Sequence, residues 1–246
     1  VFTFDKKTMK LKHISHLITG SVMELFGVMA DGKVVNSYEL TNKRGAKLKV
    51  INYGATVTSL KIPLKSGEMV DVVLGFDTLE NYINSFDLES APCLGATVGR
   101  YAGRINNAAF NLNGEIIHLD KNNNGHSLHG GKDNFSKKVW EVKNVNEGCS
   151  PSITFSYLSP ANEGNYPGDL SVELTYTLSE NNELIIEYIA QTTEDTVLNL
   201  THHSYFNLDG HDSSVSEQEL IVNSHKMLET TAENIPTGRV LNLENN

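Results

Sequence analysis

Four segments of this chain carry polar residues at spacings that ordinary strands do not need. Gly99-Arg100-Tyr101-Ala102-Gly103-Arg104-Ile105-Asn106 sets two arginines among glycines. Such arginines are either solvated loop charges or donors of several fixed hydrogen bonds to hydroxyls or a carboxylate. Asn124-Gly125-His126-Ser127-Leu128-His129-Gly130-Gly131 follows a histidine with two glycines, which frees the backbone to bend close behind the ring. His129 then either reaches a cavity or is a hydrogen-bonded turn residue. His126 and His129 do not specify a metal centre, since neither cysteine nor carboxylate stands at ligand spacing. Asn199 to Leu208 (NLTHHSYFNL) holds adjacent histidines. On a strand these face opposite ways, so only one of His202 and His203 enters a given pocket. An imidazole that titrates near neutrality suits general acid work. Asn162 to Gly168 (NEGNYPG) is a turn-rich loop that either rims a carbohydrate site or connects strands.

These segments sit among strands. Apolar residues alternate at Leu48 and Val50, at Ile153, Phe155 and Tyr157, and at Leu170, Val172, Leu174, Tyr176 and Leu178. Ser179 to Asn182 and Asn113-Gly114 read as hairpin turns. Val70 to Phe76 reads as a strand buried on both faces, and one helical turn is expected at Thr78 to Tyr82. The pattern predicts an all-β, antiparallel fold of stacked sheets in one continuous domain. Residues 1–25 differ: Leu11, Ile14, Leu17, Ile18, Val22 and Leu25 recur at helical spacing, which marks an N-terminal extension of unknown role before a domain at 26–246.

Composition narrows the function. The 246 residues carry a net charge of −10, against the basic face that nucleic-acid binders need. No apolar run approaches the roughly 20 residues that span a bilayer, so no membrane partner is expected. Two cysteines make no disulfide framework, and a reducing cytoplasm is the simplest location.

Seven strings follow one another in register: INYGATVTSL (51–60), DVVLGFDTLENY (71–82), GATVGRYAGRI (95–105), NGHSLHGG (124–131), NYPGDL (165–170), LTHHSYFNL (200–208) and IPTG (235–238). Together they resemble the aldose 1-epimerase (galactose mutarotase) family, from about Phe26 to the last residue. The resemblance implies a large antiparallel β-supersandwich and interconversion of the α and β anomers of free hexoses such as galactose and glucose. A base takes the C1 hydroxyl proton while an acid protonates the ring oxygen, and the opened ring recloses. The resemblance matches His203 to the proton donor, His129 to the second catalytic histidine near the ring oxygen, and Arg104 to the arginine on sugar hydroxyls. Ser204 and Tyr205 flank the acid. It implies a hexose partner and no cofactor or metal, since only protons move.

Three positions depart from the family pattern. Gly103 replaces an asparagine before the arginine, and His202 stands where asparagine or glutamine is common. The family's base, a glutamate on a late strand, falls beyond Asn246, and Glu244 in the polar tail is not taken for it. The expectation is therefore a fold lacking its C-terminal strands, with activity of these 246 residues alone in doubt. The alternative is a sugar-binding β-sandwich module without the base.

Overall fold

A computed structural model describes residues 21–88 and 91–243. Five strands form an antiparallel meander: β1 (Ser21–Val28), β2 (Val34–Thr41), β3 (Lys47–Ile51), β4 (Thr56–Pro63) and β5 (Met69–Asp71). After helix α1 (Leu79–Asn84) come the short strands β6 (Thr97–Val98), β7 (Arg104–Ile105), β8 (Ala109–Leu112), β9 (Glu115–His118) and β10 (Ser127–Leu128). A second antiparallel sheet is built from β11 (Glu141–Asn146), β12 (Ser152–Ser159), β13 (Leu170–Leu178) and β14 (Leu184–Thr192). The two-residue strand β15 (Thr201–His202) and the hairpin β16 (Lys226–Thr230) and β17 (Pro236–Asn242) complete the described chain.

The period-two residues make the core. Leu48, Val50, Val57 and Leu60 of the first sheet meet Ile153, Phe155, Val172, Leu174 and Tyr176 of the second, all buried. Trp140 and Phe135 close one side at a ring separation of 5.8 Å. Face-to-face packing of two sheets' apolar sides buries both rows at once, which a single sheet cannot do. The expected hairpins form where turn chemistry allows: Asn113 and Gly114 take φ of 54° and 89°, matching a tight turn between β8 and β9.

Two local expectations change. Val70 to Phe76 is not one strand; β5 ends at Asp71. The Asp71 carboxylate accepts from the Leu60 and Val73 amides at 3.0 and 3.3 Å, and so takes bonds the ladder would otherwise make. The Phe76 amide goes to the Tyr82 hydroxyl at 3.1 Å. Residues 21–28 are a strand rather than part of a helix, because β1 pairs along β2 from Ser21↔Leu40 to Val28↔Val34. The rest of the helical spacing, over residues 1–20, lies outside the described residues. The helical turn after Thr78 is present as α1, capped by the Thr78 hydroxyl accepting from the Asn81 amide.

Candidate functional site

The short strands in the middle of the chain exist to hold side chains. β15 pairs with β6 through Thr201↔Val98 and His202↔Thr97. His203 then leaves the ladder with its backbone fixed at both ends: its N–H donates to Ala96 O at 2.9 Å, and its carbonyl accepts from Gly95 at 3.0 Å. β10 pairs with β7 through Leu128↔Arg104, which sets His129 beside Gly103. The His129 N–H donates to Gly103 O at 3.0 Å. His129 sits at φ 57°, a left-handed conformation uncommon for a residue with a side chain. Gly130 behind it has φ 90°, and a Cβ there would lie 2.0 Å from Gly99 O. The bend that lifts the His129 ring therefore requires glycine at that position.

These two loops, far apart in sequence, bring the rings of His129 and His203 edge to face, with centroids 5.2 Å apart at 87°. The Gly103 amide donates to His129 Nδ1 at 3.2 Å, so the neutral ring carries its proton on Nε2. Burial, then the neighbouring His203 and Arg104, push His129 down to about 4. At neutral pH it is an uncharged hydrogen-bond donor, not a source of protons. Tyr205 is a half-exposed wall, its ring 5.3 Å from His203. The Arg104 Nε donates to Asn123 Oδ1 at 3.1 Å, leaving both terminal nitrogens without a partner among the described residues. Asn123 was not singled out from sequence; nothing in its NNNG run distinguishes it from a plain turn.

The other histidine of the pair looks elsewhere. The Tyr176 hydroxyl donates to Ala55 O at 2.7 Å and lies 3.2 Å from His202 Nδ1. With its proton committed, that hydroxyl accepts from Nδ1–H, so His202 Nε2 accepts from the Ser204 hydroxyl 2.6 Å away. Burial, reinforced by His203, pushes His202 down to about 4, in keeping with a neutral ring. Ser204 thus spends its proton on His202 and keeps lone pairs to accept from a ligand hydroxyl.

The remaining motif residues are structural. Arg100 is fully buried, with five hydrogen bonds to Ser159 Oγ and the carbonyls of Ser159, Pro160, Pro167 and Gly168, all at 2.9–3.0 Å. The Asn162–Gly168 loop is what it grips, and Tyr166 in that loop is buried with the guanidinium 5.9 Å from its ring. His126 is buried as well, its Nδ1 accepting from Asn107 at 3.0 Å and its Nε2 lying 3.3 Å from Glu233. Among the described residues, no carboxylate forms an ion pair with His129 or His203. Glu244 lies outside the described residues.

Residues 36–246 match the family model described as aldose 1-epimerase. The chain is 39 % identical over 199 residues to the galactose mutarotase of Bos taurus, covering 80 % of this chain and 55 % of that protein. It is 38 % identical over 218 residues to the galactose mutarotase of Homo sapiens, with coverage of 88 % and 60 %. The aldose 1-epimerase of Escherichia coli is 32 % identical, with coverage of 84 % and 57 %. The chain spans about 60 % of the length of these curated relatives. A solved aldose epimerase homologue from C. elegans superimposes with a TM-score of 0.75 at 35 % identity, over 83 % of this chain and 60 % of that one. A galactose 1-epimerase from Lactobacillus acidophilus shares the fold, with a TM-score of 0.78 over 91 % of this chain and 63 % of that one, at 24 % identity.

Proposed function

Since the chain belongs to the aldose 1-epimerase family, we propose that its histidine pair opens and recloses the ring of a free hexose, exchanging α and β anomers. The observation that carries this reading is the edge-to-face approach of His129 and His203 at 5.2 Å, delivered by loops 74 residues apart. His203 is the acid that protonates the ring oxygen. His129, neutral with Nε2–H outward, donates a hydrogen bond beside it and stabilises the charge that moves during ring opening. A neutral His129 also suits its neighbour, because two adjacent imidazolium ions would repel. Arg104 offers its free guanidinium nitrogens to sugar hydroxyls, Ser204 accepts from one, and Tyr205 walls the ring.

Ring opening also needs a base at the C1 hydroxyl. In this proposal a carboxylate from outside the described residues supplies it. The chain from β1 at Ser21 onward, five residues earlier than the sequence pattern suggested, acts as one domain, working in the cytoplasm where both free cysteines stay reduced. The test is polarimetry on freshly dissolved α-galactose and α-glucose. Faster approach to anomeric equilibrium, lost in His203→Ala, supports the reading. An unchanged rate with wild-type protein overturns it.

A further inference from the structure

Beside His129 lies a cavity of about 390 Å³ that neither His203 nor Arg104 lines. Lys121, Lys132 and Lys137 line it, together with Asn122, Asn123 and Asn134. That is an unusual concentration of positive charge for a protein of net charge −10. The neighbouring Lys138 shows what a committed lysine looks like here: it is paired with Asp133 at 2.6 Å and Glu163 at 2.8 Å. Lys121, Lys132 and Lys137 have no carboxylate within ion-pair distance among the described residues. Asp120, which packs near Gly131, does not line the cavity. Lys137 is half-buried with Nζ 4.8 Å from the centre of the Phe86 ring, so its stem is held at the wall. The lining also includes Leu128, Cys93 and Phe86, apolar surface that lowers the local dielectric near these charges.

We propose that this cavity is an anion subsite, and that the site takes hexoses bearing an anionic group on C6, a phosphate ester or a carboxylate. The inference rests on the hexose reading of the histidine pair and refines its substrate class. Sugar chemistry fixes the position of the charge. Anomer exchange requires a free C1 hydroxyl, so the anion is not on C1. The ring oxygen is bonded to C1 and to C5, and C6 hangs from C5. A group serving the ring oxygen therefore has the C6 substituent as its neighbour on the side away from C1. His129 is the residue shared by the histidine pair and the cavity, so a C6 anion passes it into the lysines. Each charge-assisted contact there is of the strong kind, whereas the Asn122 and Asn134 amides already donate to the Leu128 and Gly131 carbonyls.

The test is titration of the full chain, watched through its backbone amide spectrum, with glucose, glucose 6-phosphate, glucuronate, glucose 1-phosphate and inorganic phosphate. Glucose 6-phosphate is expected to bind about tenfold or more tightly than glucose, with shifts at His129, Gly131 and Lys132. A matching gain with glucuronate shows that charge suffices, and its absence assigns the subsite to phosphate. The double variant Lys121→Gln/Lys132→Gln changes exposed side chains, and an unchanged spectrum away from the cavity certifies its fold. It should erase most of the 6-phosphate gain, whereas Lys65→Gln on the β4–β5 turn should not. Equal affinities for glucose and glucose 6-phosphate, or a gain that survives the double variant, overturn the subsite alone. A 1-phosphate as tight as the 6-phosphate overturns its placement at C6. If no hexose moves the His129 amide, the hexose reading fails and the subsite with it.

Discussion

Replacing Arg100 by methionine removes the most heavily bonded side chain among the described residues while keeping much of its volume. The guanidinium donates five hydrogen bonds. Of the acceptors, Ser159 Oγ, Ser159 O and Gly168 O are buried, while Pro160 O and Pro167 O reach partial solvent and can turn to water. A buried acceptor left without a donor costs about 1–3 kcal/mol. Ser159 Oγ keeps its bond to Glu163, so the two buried carbonyls set the loss, about 2–5 kcal/mol once the desolvation that Arg100 itself suffered is recovered. Burial is the leading influence on this guanidinium and lowers its pKa, but Arg stays charged throughout the working range. Urea unfolding followed by far-UV circular dichroism should show that loss, with a fall in Tm of roughly 10 °C. The damage should also reach the site. Arg100 O accepts from Asn199 at 2.9 Å, on the approach to β15, and the Gly99–Arg100 peptide lies against Gly130. The amide signals of His129 and His203 should therefore shift in the variant. Arg100→Lys, with three donors for five, should lose about half as much. An Arg100→Met protein within about 1 kcal/mol of the parent refutes the reasoning, because the buried acceptors would then have found other partners.

Acid should unfold the protein earlier than its carboxylates alone require. His129 and His202 are both held near 4, below the ordinary imidazole value of 6.5. The unfolded chain takes up these protons first, so their stabilisation is complete above pH 6.5 and is lost as pH falls toward 4. His202 contributes about 3 kcal/mol and the more exposed His129 about 2 kcal/mol; a flat unfolding free energy between pH 7 and 4.5 contradicts this. Gly130→Ala should lose more than about 3 kcal/mol, because its Cβ meets Gly99 O and its φ is left-handed; a normal denaturation midpoint would show that the loop is free to move. In steady-state mutarotation, His203→Ala should lower kcat by about 10²–10⁴-fold, Arg104→Ala should mainly raise KM, and His202→Ala should be the milder histidine variant. A His202→Ala protein as inactive as His203→Ala would exchange the roles of the two neighbours.

Much of this arrangement was legible in the residues. Period-two alternation in Leu170–Leu178 located an inner strand of the second sheet, because only a strand buries every other side chain. The strand rule that separates adjacent side chains sent His202 to Tyr176 and His203 to His129. What sequence could not resolve was which polar residue belongs to a site and which to a buried bracket. Arg100 and Arg104 look alike in GRYAGRI, yet one is bonded wholly to carbonyls and a hydroxyl of another loop and the other bonds Asn123 close enough to His129 to act on its charge. The distinction comes from non-local contacts 59 to 68 residues away. Val70–Phe76 misled for a similar reason: an apolar run reports burial, while the Asp71 carboxylate decided where the ladder stopped. The lysines of the cavity gave no local signal, since Lys121 and Lys132 read as solvated loop charges.

The central claim is that His129 and His203 form one hexose-binding face. Proton and nitrogen NMR of the two imidazole rings during titration with galactose tests it directly. The claim predicts that both rings shift together along one binding curve, that His129 keeps its proton on Nε2, and that Arg104→Ala weakens the curve for both. Galactose binding that leaves either ring unmoved, or that moves the His202 ring instead of His203, would contradict it.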